Sequence, residues 1–164
     1  DARKYPAIHP LDSWSKYKSV LRSDWVEFAR HYLFRGNEIE QMMKVVGEEG
    51  TSLEDFIIYL KGEFVDAVYL QQNSFDETDS SASVERQEYV FKLLLKVLGS
   101  TFKLSAKDEA RSYFNQMRQK FLDWNYSQWM ESDFKKNEAD IASLYNEKSG
   151  TLEKKAVELL KDGE

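Results

Sequence analysis

Residues Thr51–Val68, TSLEDFIIYLKGEFVDAV, decide the fold. Leu53, Phe56, Ile57, Leu60, Phe64, Ala67 and Val68 recur at spacings of three and four, so the apolar side chains share one side of a long amphipathic helix. Thr51 with Glu54 reads as a capping box, the hydroxyl taking an orphan amide and the carboxylate returning the bond. Glu48-Glu49-Gly50, just before it, reads as a loop.

The same period continues outward. Upstream, Asp24 and Glu27 form a second capping signal, followed by the stripe Trp25, Phe28, Ala29, Tyr32 and Leu33. Gly36-Asn37 is expected to stop or kink that helix. Ile39, Met42, Met43 and Val46 then supply a second short stripe that ends at Gly47, a left-handed cap. Downstream, Gln71–Ser83 loses periodicity and collects Asn, Asp and Ser, so a loop is predicted there. Val84–Leu98 is a strong helix with Phe91, Leu94, Leu95 and Leu98 on one side, and Gly99-Ser100 ends it. Ser105 and Asp108 can cap a helix marked by Ala110, Tyr113, Phe114, Met117, Phe121 and Trp124. Trp129, Met130, Phe134, Ile141, Leu144 and Tyr145 mark a less regular one. Gly150-Thr151 separates a final amphipathic segment, Leu152–Leu160. No stretch sustains β alternation. The fold class is all-α: a bundle of about six helices over 23–164, behind an extended lead-in over 1–22 that Pro6 and Pro10 hold out of helix.

Composition limits the chemistry. With no cysteine among 164 residues, disulfides, thiolate nucleophiles and zinc–thiolate sites are excluded. The seven glycines are scattered, so there is no phosphate-binding loop. His9 and His31, the only imidazoles, lack metal-ligand spacing and read as structural or surface residues. Acid pairs are frequent, but each lies on a polar helix face or in a loop, where nothing desolvates a general acid. No catalytic or metal residue is assigned. No apolar run reaches the roughly 18 residues of a membrane span, so direct membrane insertion is not expected. The chain opens at Asp1 with Ala2-Arg3-Lys4-Tyr5-Pro6, which reads as a piece of a longer polypeptide.

Charge is uneven. Between Gly36 and Glu88 thirteen acids face three basic residues, a local charge of −10 within a chain of net charge −6. Such a surface repels phosphate backbones, making nucleic acid an unfavoured partner, and suits a basic protein surface. A solvated face that merely confers solubility fits the same count. Twenty-three aromatic residues, most of them expected in the core, include two in non-periodic sequence, Tyr5 and Phe75. Those two are candidates for an interface or for stacking on a flat ligand.

Two stretches carry a family resemblance. Tyr5-Pro6-Ala7-Ile8-His9-Pro10-Leu11-Asp12-Ser13 resembles the join between the nucleotide-binding and helical domains of rotary ATPase subunits. Leu70-Gln71-Gln72-Asn73-Ser74-Phe75-Asp76-Glu77-Thr78-Asp79 is similar to the matching stretch of the catalytic A subunit in V-type and archaeal-type enzymes, as are Val45-Val46-Gly47 and the spacing between the two. Ser74 stands where that family usually has alanine, and Asp76 where many members have histidine.

The resemblance implies that Tyr5 and Phe75 are the two aromatics that line an adenine pocket from the nucleotide domain and the helical domain. It implies that Gly47–Asp55 is the tip that pushes on a central rotor stalk, with Glu48, Glu49, Glu54 and Asp55 as its charged members. The expected setting is the cytoplasmic head of a proton- or sodium-translocating ATPase, peripheral to the membrane. The B subunit and the central stalk subunits are the implied partners, and ATP or ADP with Mg the ligand of the parent. The parent would hydrolyse or make ATP; this chain carries no phosphate-binding loop and is expected to have no activity alone. The competing reading is a free-standing acidic helical module that binds other proteins.

Overall fold

The computed structural model describes residues 22–75 and 81–162, with side chains over 22–68 and 84–161. Among these residues are six helices and one two-stranded ribbon, in the order α1 (Ser23–Val46), α2 (Leu53–Phe75), α3 (Ser81–Gly99), β1 (Ser100–Phe102), α4 (Lys107–Tyr126), α5 (Ser132–Lys148), β2 (Ser149–Leu152) and α6 (Lys154–Asp162). The all-α bundle read from periodicity is the architecture found. The lead-in over 1–22, with Tyr5, lies outside the described residues apart from Arg22.

α1 and α2 form an antiparallel hairpin, α4 packs along α2, and α5 along α4, while α6 lies on α3. The core runs through all of them: Trp25, Ala29 and Ile39 from α1, Phe56 and Phe64 from α2, Leu95 and Leu98 from α3, and Met117, Phe121 and Trp124 from α4. Phe134 and Ile141 complete it from α5, and Ala156 and Leu159 from α6. Aromatic edges knit the bundle: Phe64 meets Phe121 edge to face at 5.0 Å, and Tyr89 touches the rings of Trp124, Trp129 and Phe134.

Several local expectations are corrected. α1 does not break at Gly36-Asn37, because Gly36 is where it crosses α2. A Cβ on Gly36 would lie 3.1 Å from the Cα of Gly62, and one on Gly62 would lie 3.0 Å from the Tyr32 carbonyl oxygen. Two glycines face each other so that two backbones can touch, and tertiary contact overrides the weak helix propensity. Asp24 is not the cap of α1 but sits in its first turn, where Arg22 clasps its carboxylate and holds it below the usual carboxylate range. The loop predicted over Gln71–Ser83 is invaded from both sides, α2 continuing to Phe75 and α3 beginning at Ser81. Ser105 and Asp108 do not cap α4, whose cap residue is Ala106. Instead Glu109 accepts bonds from the Ser105 amide and hydroxyl at 2.8 and 3.0 Å.

The ribbon adds to the helices expected. β1 and β2 pair antiparallel, with Ser100 opposite Leu152 and Phe102 opposite Ser149. Three or four residues per strand are too few to show alternation, and helices flank both strands.

Two cations close helix ends from the inside. Lys61, only 6% exposed, donates from Nζ to the carbonyls of Leu98 and Ser100 at 2.8 and 2.7 Å, satisfying orphan acceptors where α3 runs into β1. Its ammonium also lies 5.3 and 5.5 Å from the ring centres of Tyr32 and Phe102. Burial pushes the lysine down to about 8, opposed by the charge of Glu153. Arg86 does the same for α4, donating to the carbonyls of Trp124, Asn125 and Ser127.

Candidate functional site

The hairpin tip, Gly47–Asp55, is a closed turn rather than a loose loop. The Gly47 amide ends α1 by donating to the Met43 carbonyl at 2.8 Å, and Gly47 then takes φ 80° and ψ 165°, a region open almost only to glycine. It caps the helix as expected, with positive φ but in extended rather than helical ψ. The Gly50 amide donates back to the Gly47 carbonyl at 3.2 Å and the Thr51 amide to the Glu48 carbonyl at 3.0 Å. The hydroxyl of buried Thr51 also donates to the Gly47 carbonyl, at 3.1 Å. With Thr51 closing the turn, the capping role moves one residue on. Ser52 Oγ accepts the Asp55 amide at 3.1 Å, so a single cap bond to Ser52 stands where the Thr51–Glu54 box was expected.

The four candidate tip acids do not behave alike. Glu48 turns toward α4, where its carboxylate pairs with Arg111 and its carbonyl accepts Lys107 Nζ. Arg111 is held in turn by Asp108 at 3.1 Å and lies 5.0 Å from the ring centre of Phe56. Glu48 and Arg111 line a cleft of about 220 Å³ together with Met43, Phe56 and Tyr59, so here an ion pair ties the hairpin to α4 beside incomplete packing. Glu49 and Glu54 are exposed, and Asp55 is half-buried at the start of α2.

The end of α1 beside the tip also carries exposed apolar surface, two members of which, Met42 and Val46, the sequence pattern assigns to a helical stripe. Val45 is 84% exposed, Val46 49% and Met42 44%. A break at Gly36 would put Met42 and Val46 in a buried stripe of their own. Because α1 is continuous, the buried phase is carried by Tyr32, Gly36 and Ile39, with Met43 packed against the core. Met42, Val45 and Val46 fall outside it. Carrying the period unbroken from Trp25 finds this.

Phe75 is the last residue of α2, at the end of that helix opposite the tip; its side chain and Tyr5 lie outside the described residues. Among the described residues no group of three His, Asp or Glu is placed to hold a metal ion, and no helix is long and apolar enough to cross a membrane.

A helical hairpin packed on the bundle, with an acidic and partly apolar tip, defines a helical arm. Residues 15–110 match the family described as the C-terminal domain of V and A type ATP synthase, and the chain belongs to that family. It is 59% identical over 161 residues to the V-type ATP synthase alpha chain of Treponema denticola, covering 98% of this chain and 27% of the relative. It is 50% identical to V-type ATP synthase alpha chain 1 of Treponema pallidum, over 95% of this chain and 26% of that one. With the alpha chain of Borrelia garinii the figures are 53%, 89% and 25%. The chain thus spans about a quarter of the length of these relatives. No solved structure matches it.

Proposed function

We propose that the chain is the C-terminal arm of the catalytic subunit of a rotary ATPase and links the state of a bound nucleotide to a central stalk. In this reading residues 1–22 are the end of the nucleotide-binding domain and 23–164 the arm. Tyr5 and Phe75 face the adenine of ATP or ADP, whose Mg ion and phosphates are held elsewhere in the full-length subunit. The B subunit and the stalk subunits are its neighbours in a cytoplasmic head bound peripherally to the membrane. Closure of the nucleotide domain swings the tip against the stalk, and a driven stalk reverses the motion.

One observation carries the reading. The tip and Phe75 stand at the two ends of a single uninterrupted helix, α2, about 33 Å long at 1.5 Å per residue. A displacement at one end therefore reaches the other through a close-packed rod that is itself braced by α1 and α4. Family membership favours this reading of the acidic face over a free-standing adaptor.

The test is made in the full-length subunit within its assembled complex. Phe75→Ala should weaken nucleotide affinity about tenfold, since stacking on one ring is worth roughly 1–3 kcal/mol, and leave stalk binding unchanged. Tip variants should do the reverse. If Phe75→Ala leaves affinity intact, the ring does not face the base.

A further inference from the structure

The tip offers two kinds of surface, and they differ in what they are free to do. We propose that the apolar knob of Met42, Val45 and Val46, rather than the carboxylates beside it, is the surface by which the tip holds its partner, an apolar protein stripe bordered by Lys or Arg. The proposal rests on the stalk reading above and names the chemistry of that contact.

Three observations carry it. The knob is built to stay in place: Gly47 is locked by the turn, and Gly50 packs so closely on Val46 that an added Cβ would stand 2.7 Å from the Val46 carbonyl oxygen. A floppy tip could fold its valines away, but this one cannot. Second, Val45, at 84%, is the most exposed large apolar residue among the described residues, at a position where a polar helix former would serve the isolated helix better. Third, Glu48, the acid most central to the turn, already has its carboxylate on Arg111 and its carbonyl on Lys107, so it braces the tip from behind. What remains at this end of the hairpin is the exposed apolar trio on the last turn of α1, with Lys44 among it, followed in the chain by Glu49, Glu54 and Asp55 of the turn and the start of α2. An apolar centre with a charged rim is the anatomy of a protein interface. In such an interface the centre sets affinity, while rim charges set approach and salt dependence. The negative rim selects a partner whose apolar stripe is bordered by cations.

The experiment compares two variants in the full-length subunit of the assembled head, titrated with its own central stalk. One is Val45→Ser with Val46→Ser, the other Glu49→Gln, Glu54→Gln and Asp55→Asn together. Thermal melts of each are taken first, and both should match the parent because the altered side chains are exposed or half-buried. Removing the two valines should weaken stalk binding at least about tenfold through faster dissociation. Neutralising the three acids should slow association and flatten its salt dependence, with affinity changed less than about threefold. The converse pattern, acids decisive and valines neutral, would overturn this proposal and leave the stalk reading standing. If neither variant alters stalk binding, the proposal falls and the stalk reading falls with it.

Discussion

Replacing Lys61 with methionine tests the energetics of the bundle at the most heavily buried charge among the described residues. Methionine keeps the length of the side chain and a favourable contact with the rings of Tyr32 and Phe102, but removes the charge and both donated bonds. Hydrogen bonds from a charged donor are worth about 1.5–3 kcal/mol each, so about 3–6 kcal/mol is lost. Against that, moving the lysine from its usual 10.5 to about 8 means the folded protein carries a penalty of about 3 kcal/mol for holding the charge, which the variant does not. The net loss at pH 7 is therefore about 0–3 kcal/mol.

The pH dependence is the sharper part. Between the folded value near 8 and the unfolded value of 10.5, the unfolded chain binds a proton at Lys61 that the folded chain has released, so stability rises with pH. By pH 9.5 the gain is about 2 kcal/mol for the parent and nil at this site for the variant. Urea unfolding of both proteins at pH 7, 8, 9 and 9.5 should therefore show the parent gaining on the variant at each step. Taking the difference cancels groups common to both. The raised values of Tyr32, Tyr89 and Tyr113 would lower stability only above about pH 10, outside the window. A difference that stays constant, or moves in the variant's favour, would refute the buried, charged lysine.

Other consequences are simpler to read. Gly62→Ala should destabilise the bundle by about 1–3 kcal/mol in urea unfolding despite its gain in helix propensity, because the new methyl meets the Tyr32 carbonyl at 3.0 Å. Asn125, 2% exposed with neither amide atom hydrogen-bonded, should yield about 1 kcal/mol of added stability as Asn125→Leu, seen as a raised melting temperature. Glu48→Ala should cost less than about 1 kcal/mol globally, as half-exposed ion pairs do. Yet it should speed amide hydrogen exchange at Gly50 and Thr51, since the turn loses the side-chain half of its tie to α4 and keeps only the Lys107 bond to its carbonyl. An unchanged exchange rate there would deny Glu48 its bracing role.

What could be read from the residues depended on how local the cause was. Apolar period fixed the existence and buried faces of α2, α3 and α4, because a helix must hide its stripe whatever else surrounds it. Phase across Gly36 could not be read so, since the glycine serves a crossing with Gly62, which is 26 positions away. The same distance problem hid the ribbon, whose strands pair Ser100 with Leu152 and Phe102 with Ser149 across about fifty residues of sequence. It also hid the place of Lys61, an ordinary polar position of α2 by pattern and a buried clasp on α3 by structure. At the tip, the acids stand out by charge count alone. Their unequal engagement does not, because Arg111 and Lys107 reach Glu48 from a separate helix.

A lever of this kind requires the hairpin to be one stiff piece with the rest of the bundle. Since the chain has no cysteine, Val45→Cys at the tip and Ser143→Cys on the exposed side of α5 give a clean pair for spin labels. Pulsed electron resonance should return one narrow distance distribution that broadens when Glu48→Ala is added. A broad or two-peaked distribution in the parent would mean that the tip swings on its own, and an arm hinged there could not pass a push from the stalk to Phe75.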